Sequence, residues 1–266
     1  MSALKSFSTK QSILFVLILI IAWFVLGMVF IFISSSIFQR PVGDATTVTI
    51  GRLAITFCTV MMIWQWDWLK ASGITLLGNW QTWLLALGGL LYFTSASLYS
   101  FYGRASFDFS ILTRFPDSRV IALTQIIVAI SEEILFRGLV LYTLIRVWGN
   151  TTQGTIGSVA FAAILFAIMH ITQVFTNGLS ISAALLLVMQ TFLCAVWWGA
   201  LVRLGGSIWP AVMLHFLANT AVIMQGLETP MIEPVLMAYK QLLWFSLALG
   251  LAGIGLLLRV KHEKAA

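Results

Sequence analysis

Eight stretches, each close to the roughly 20 predominantly apolar residues that a helix needs to cross a bilayer, follow one another along this 266-residue chain. They lie near Ile13 to Ile33, Ile50 to Trp66, Trp80 to Tyr102, Val120 to Val147, Ile156 to Phe175, Ile181 to Val202, Ile208 to Met224 and Val235 to Leu258. Short polar, Gly- or Pro-containing segments separate them. What remains between the runs is too short for a soluble domain, a repeat or a low-complexity linker. Composition closes the alternative of a water-soluble core. The chain has only 15 Lys and Arg and 9 Asp and Glu, against 60% hydrophobic residues, and its mean hydropathy is +1.00. A soluble domain of this length needs far more charge to cover its surface. The expected fold is therefore all-α, a polytopic membrane helix bundle of about eight transmembrane helices in which much of the apolar surface faces lipid.

The first run follows Lys5 and Lys10, as a signal peptide would. Its apolar stretch is too long for one and lacks a small-residue cleavage site, so it reads as a retained first helix. The tryptophans at positions 64, 66, 68, 80 and 83 bracket the second loop as interfacial aromatics do. An even number of helices puts both termini on one side. Lys5, Lys10, Arg259, Lys261 and Lys264 suggest the cytoplasmic side, since cytoplasmic loops carry excess Lys and Arg. The expected location is an integral multi-pass protein of the cell membrane, in a prokaryotic host. The net charge of +6 comes from basic residues scattered singly, with no patch or arm, which argues against nucleic acid as a partner. Cys58 and Cys194 both lie inside apolar runs and read as small buried hydrophobes.

An ionisable side chain in the middle of a transmembrane helix costs about 2.5 to 3.5 kcal/mol on insertion scales, so each one needs a partner or a task. The fourth run carries Ser131-Glu132-Glu133-Ile134-Leu135-Phe136-Arg137-Gly138, the fifth Phe166-Ala167-Ile168-Met169-His170, and the seventh His215-Phe216-Leu217-Ala218-Asn219. Arg52 stands near the start of the second run, close enough to an interface to snorkel. Glu133 and Arg137, four residues apart, share a helix face and are expected to form an ion pair. Glu132 is rotated by about 100° from Glu133, which leaves it as the free carboxylate, with no fixed countercharge, suited to act as a general base. Either glutamate could instead serve only to glue helices together, and a single interior histidine is ordinarily satisfied by a carbonyl across a helix interface. Two of the three histidines nevertheless lie in hydrophobic runs, and only His262 belongs to the charged tail. Asn219 follows His215 by one turn, so the two can donate to the same oxygen. Phe166 stands one turn before His170, where ordinary packing accounts for it.

The motifs Glu-Glu-x-x-x-Arg, Phe-x-x-x-His and His-x-x-x-Asn on successive apolar runs resemble those of the CAAX protease and bacteriocin-processing family, also called the Abi family. The flanking Phe136-Arg137-Gly138 and Gly205-Gly206-Ser207-Ile208-Trp209-Pro210 are similar as well. The likeness spans about Val120 to Thr220. It implies an intramembrane endopeptidase of the CAAX type with a cavity at membrane depth. By motif position, Glu132 and His170 would activate the water, His215 and Asn219 would stabilise the oxyanion, and Glu133, Arg137 and Phe166 would support the site. The chain then divides into N-terminal helices over residues 1–119, a catalytic core over 120–226, and a last helix with a basic tail over 227–266. The first part contributes hydropathy and no motif.

Whether a metal takes part is left open by these residues. Glu132, His170 and His215 could supply the carboxylate and two imidazoles of a catalytic zinc site, although the zincin signature His-Glu-x-x-His is missing. A metal-free, glutamate-activated water is equally compatible. The expected partners are the bilayer and a membrane-bound or lipid-anchored peptide substrate. Two other classes fit intramembrane polar residues: a non-catalytic scaffold or immunity protein that regulates another membrane protein, and a proton-coupled transporter. Transporters commonly show internal repeats, and the polar motifs here have no counterpart in the first three runs.

Overall fold

A computed structural model describes residues 2–104, 106–115, 118–228, 231 and 234–260. Lys261, His262 and Lys264 of the tail lie outside the described residues. The described residues are built from helices: α1 (Ser2–Lys10), α2 (Ser12–Phe38), α3 (Ala45–Gln65), α4 (Trp80–Tyr102), α5 (Ile111–Arg114), α6 (Ser118–Glu133), α7 (Tyr142–Trp148), α8 (Thr152–Ile168), α9 (Gln173–Thr176), α10 (Ile181–Gly205), α11 (Trp209–Glu228) and α12 (Val235–Leu257). A π-helical segment, Ile134–Leu141, joins α6 directly to α7, and a 3-10 turn, Met169–Thr172, joins α8 to α9. Six helical segments are long and apolar enough to cross a membrane: α2, α3, α4, the α8–α9 unit, α10 and α12. The other two expected runs are helical too, as the continuous α6–π–α7 rod and as α11. The protein is an all-helical integral membrane protein.

Polar residues start these helices and glycines end several of them. The side chains of Asp44, Asn79, Thr151 and Ser180 accept backbone N–H bonds from the first turns of α3, α4, α8 and α10, which satisfies donors that the helix itself leaves unpaired. Gly103 and Gly206 adopt left-handed conformations at the ends of α4 and α10, the position where a residue without Cβ is least strained. The Gly206 N–H returns to the Val202 carbonyl at 2.9 Å.

The long helices distribute side chains as lipid demands. On α2, Phe15, Val16, Ile20 and Trp23 are buried against the protein, while Ile21, Val25, Phe32 and Ile37 are exposed. Hydrocarbon solvates both faces equally well, so helix association rests on close packing and interhelical hydrogen bonds. Glycine supplies the close packing. A Cβ on Gly253 of α12 would come within 3.0 Å of the Trp197 Cα on α10, and one on Gly51 of α3 within 2.4 Å of the Ile31 Cγ1 on α2. The hydrogen bonds include Thr49 with Thr124 at 3.0 Å between α3 and α6, and the Tyr102 hydroxyl donating to the Val222 carbonyl at 2.9 Å between α4 and α11.

Two expectations need correction. Cys58 faces outward on α3 and only Cys194 is buried; both are free thiols. Among the tryptophans around the second loop, Trp64 and Trp80 are exposed as interfacial residues would be, but Trp66 and Trp68 are buried. Their rings meet at 4.8 Å, and the Arg146 guanidinium lies 4.6 Å over Trp68, so this loop folds back into the bundle. Ile208 N–H donates to the Gly73 carbonyl at 3.3 Å, and the Trp209 indole donates to the Ile74 carbonyl at 2.8 Å. The loop thereby fixes the start of α11, which carries His215.

The Gly253 contact gives a direct test. Gly253→Leu drives a side chain into the α10 backbone and should destabilise the purified protein by about 1–3 kcal/mol, read as a lower thermal midpoint in detergent. A Cβ on Gly255, two residues on, would meet no heavy atom within 4 Å, and Gly255→Leu should leave that midpoint unchanged.

Candidate active site

The site forms where α6 gives way to the π-helical segment. Glu132 and Glu133 are the last two residues of α6, and all eight residues from Ile134 to Leu141 are buried. A π segment widens the helix by bonding each N–H five residues back, a form found mostly as short insertions at functional sites. Here it begins directly after the two carboxylates and carries Arg137. The ordered packing of Phe136, Leu139 and Val140 in the bundle core holds this wider turn in place.

Glu133 is the deeper of the two acids, with its side chain fully buried. Its Oε1 accepts a hydrogen bond from Arg137 Nη1 at 3.0 Å and lies 3.0 Å from His215 Nδ1. An ionised carboxylate only accepts, so His215 carries a proton on Nδ1. The His215 ring stacks on Trp198 of α10 with centroids 5.1 Å apart and planes 26° from parallel. Phe166 meets the same ring edge-on at 5.9 Å. The Arg137 guanidinium lies 4.5 Å over Phe166 and 5.3 Å over Trp198, so the cation is held by one carboxylate and two aromatic faces. Phe166 also touches Phe136 at 5.0 Å and His170 at 5.1 Å. It is thus the ring around which both histidines and the arginine are arranged.

Glu132 is shallower, with 16% of its side chain exposed. It is not free of a countercharge: Arg52 Nη2 of α3 lies 3.1 Å from Glu132 Oε1. That finding overturns two expectations together, the unpaired Glu132 and the snorkelling Arg52. Arg52 turns inward because the Trp23 ring of α2 covers its guanidinium at 4.8 Å and because α3 packs against α6. The other Glu132 oxygen, Oε2, lies 3.9 Å from His215 Nε2, so one imidazole stands between both acids.

His170 sits on the 3-10 turn that ends α8. Its Nδ1 is 3.2 Å from the Phe166 carbonyl. A carbonyl cannot donate, so Nδ1 bears the proton and Nε2 keeps its lone pair. Glu132, Arg52 and His170 line one cavity of about 120 Å³ with Trp23, Phe24, Phe136, Phe166, Met169, Thr172 and Gln173. That is room for several water molecules among polar walls. Asn219 lies half-buried on α11, and it is absent from the lining of this cavity.

The fit to a metal can be tested on the donors themselves. A zinc ion needs carboxylate and imidazole donors about 2.0–2.2 Å away on all sides. Here a guanidinium stands against Glu132, and the His215 Nδ1 is engaged by Glu133. Among the described residues no group of three His, Cys, Asp or Glu is arranged to hold a metal ion.

Three residues of the site had little or no sequence signal. Trp198 lies in an apolar run where tryptophan is unremarked, Trp23 likewise, and Arg52 was read by its nearness to a helix end. The only available signal was that Arg52 is an ionisable residue within an apolar run.

The buried pair makes a prediction about folding. Arg137→Ala leaves the Glu133 charge buried with His215 alone and should cost roughly 3–5 kcal/mol, seen as loss of monodisperse protein after solubilisation. Replacing both partners by uncharged residues of similar size, Glu133→Gln with Arg137→Met, should recover most of the yield. Normal yield of Arg137→Ala would show that the pair is not a structural requirement.

Residues 116–221 match a family model described as Rce1-like, type II CAAX prenyl endopeptidase. No curated protein and no solved structure matches the chain. The matched segment contains Glu132, Glu133, Arg137, Phe166, His170, Trp198, His215 and Asn219, and excludes Trp23 and Arg52. Over this segment the chain is similar to the type II CAAX prenyl endopeptidases.

Proposed function

We propose that this protein is an intramembrane endopeptidase that hydrolyses a peptide bond near the end of a lipid-anchored, CAAX-like peptide. The observation that carries the reading is the cavity wall shared by the Glu132 carboxylate and the His170 imidazole, formed inside the segment that matches the CAAX endopeptidase model. A CAAX substrate bears an isoprenoid on a cysteine close to its C-terminus, and hydrolysis there needs a water brought to the bilayer interior. A polar cavity lined by a general base meets that need.

In the proposed reaction, a water in the cavity donates one hydrogen bond to His170 Nε2, whose lone pair is oriented by the Phe166 carbonyl behind it. Glu132 takes the other proton as the water oxygen bonds to the scissile carbonyl carbon and the π pair of that carbonyl moves onto its oxygen. The tetrahedral adduct collapses with cleavage of the C–N bond. Glu132 gives its proton to the departing amine, and the products are a carboxylic acid and an amine. Asn219 and His215, the latter through Nε2 when that nitrogen also carries a proton, are the proposed donors to the oxyanion from α11. Glu133, Arg137, Phe166 and Trp198 hold His215 in orientation, as outer partners commonly orient a reacting imidazole. Both termini are proposed to be cytoplasmic.

The test is cleavage of an internally quenched peptide, carrying a farnesylated cysteine followed by three residues, by the purified protein in liposomes. Glu132→Gln and His170→Ala should each lower the rate by about 10²- to 10⁴-fold, with normal insertion and yield. A rate near wild type in either variant would refute the role given to that residue. Comparison of new peptide termini in membranes of cells with the wild type, a deletion or Glu132→Ala separates the scaffold alternative. A scaffold predicts that Glu132→Ala restores the deletion phenotype with no terminus changed.

A further inference from the structure

Neither oxyanion donor expected from the sequence, His215 or Asn219, lines the cavity. His215 has its Nδ1 bound to Glu133 and directs Nε2 toward Glu132, while Asn219 does not line the cavity. One further cationic group does. Arg52 lines the cavity with Glu132 and His170, and its guanidinium is fixed on two sides, by the Trp23 ring at 4.8 Å and by Glu132 at 3.1 Å through Nη2. The backbone beside it is equally constrained, since Gly51 packs so tightly against Ile31 that a Cβ would collide. The second amino group, Nη1, is buried and has no hydrogen-bond partner. A buried N–H group on a held cation is costly to leave unpaired, unless an acceptor arrives with a ligand.

We propose that Arg52 is a catalytic residue of this site, contributed from outside the family-matched segment, whose Nη1 donates to the scissile carbonyl oxygen as it becomes negative while Nη2 holds Glu132. The assignment rests on the hydrolase reading above. The fork of the guanidinium places one N–H pair on the base and the other about 2.3 Å away on the same rigid plane. Base and oxyanion donor are thereby set in register by one side chain. The oxygen that gains charge when water adds to the carbonyl carbon lies next to the oxygen that loses its proton to Glu132, so a group that bridges both positions suits a single addition step. No new bond beyond those of the hydrolysis is formed or broken by Arg52. It donates hydrogen bonds and remains protonated.

Lysine separates this role from a merely structural one. A lysine ammonium pairs with Glu132 as a point charge but lacks the second arm of the fork. In the liposome assay with the farnesylated quenched peptide, Arg52→Lys should accumulate like the wild type and keep its KM within about twofold, while kcat falls by about 10²- to 10³-fold, the usual loss for one oxyanion donor. Arg52→Gln should lose at least as much. A phosphinate analogue of the peptide, whose tetrahedral anionic oxygens stand in for the oxyanion, should lose affinity for Arg52→Lys by a similar factor. Its dissociation constant is independent of the amount of folded protein, which keeps the test valid if yield drops. Wild-type kcat in Arg52→Lys, or unchanged phosphinate affinity, would overturn the assignment and leave Arg52 as a partner of Glu132 alone. If the wild type and Glu132→Gln differ but Arg52→Lys equals the wild type, only the Arg52 role fails. If the wild type cleaves nothing, the hydrolase reading fails and this role with it.

Discussion

The carboxylate of Glu133, buried at the end of α6, is the interaction on which the site depends. One oxygen accepts from Arg137 on its own rod and is engaged by His215 from α11. It therefore ties the rod that carries both acids to the helix that carries the second histidine. Removing a charge of this kind from water is costly, and the arrangement is sustained only because a cation, an imidazole and two aromatic faces surround it. Phe166 and Trp198 supply those faces and bring α8 and α10 into the same cluster. Four elements are thus locked together by one acid and its neighbours, and Glu132 one residue earlier is left at a defined place above them.

The site has two layers with different chemistry. The lower layer of Glu133, Arg137, Phe166, Trp198 and the Nδ1 side of His215 is closed, with Glu133 Oε1 shared by Arg137 and His215 while Glu133 Oε2 and Arg137 Nη2 have no hydrogen-bond partner. In the upper layer Glu132, Arg52 and His170 border a cavity in which water fits, and His215 Nε2 stands 3.9 Å from the Glu132 carboxylate. The π-helical segment serves both layers, since Phe136 lines the cavity and Arg137 pairs with Glu133. The N-terminal helices, which lie outside the matched segment, complete the upper layer through Arg52 and Trp23. The segment that matches the family model and the helices outside it are joined here through one ion pair.

Much of this was legible from residue order. The eight apolar runs correspond to the long helices of the bundle, because length and hydropathy alone decide whether a segment sits in hydrocarbon. The four-residue spacing of Glu133 and Arg137 was enough for their ion pair, and the three motifs picked out helices that meet around Glu133, Phe166 and His215. Trp66 and Trp68 were misread because an interfacial tryptophan and one in a loop folded back on the bundle have the same local sequence. Cys58 was misread for a related reason: in a membrane an apolar residue that faces lipid and one that faces protein are equally at home. The pairing of Glu132 was missed because its partner is 80 residues away on a helix without a motif.

By itself the sequence determined that the chain lives in a bilayer, which helices must hold polar groups, and which two of those groups neutralise each other within one turn. These are local properties, set by transfer free energy and by helical periodicity. The tertiary structure decided which acid faces the cavity, which cation stands beside it, and that His215 stands between both acids. Those outcomes depend on how rotated and how close whole helices lie, and that is fixed by glycine contacts, interhelical hydrogen bonds and aromatic packing between segments far apart in the chain, for which no short stretch of residues carries a signal.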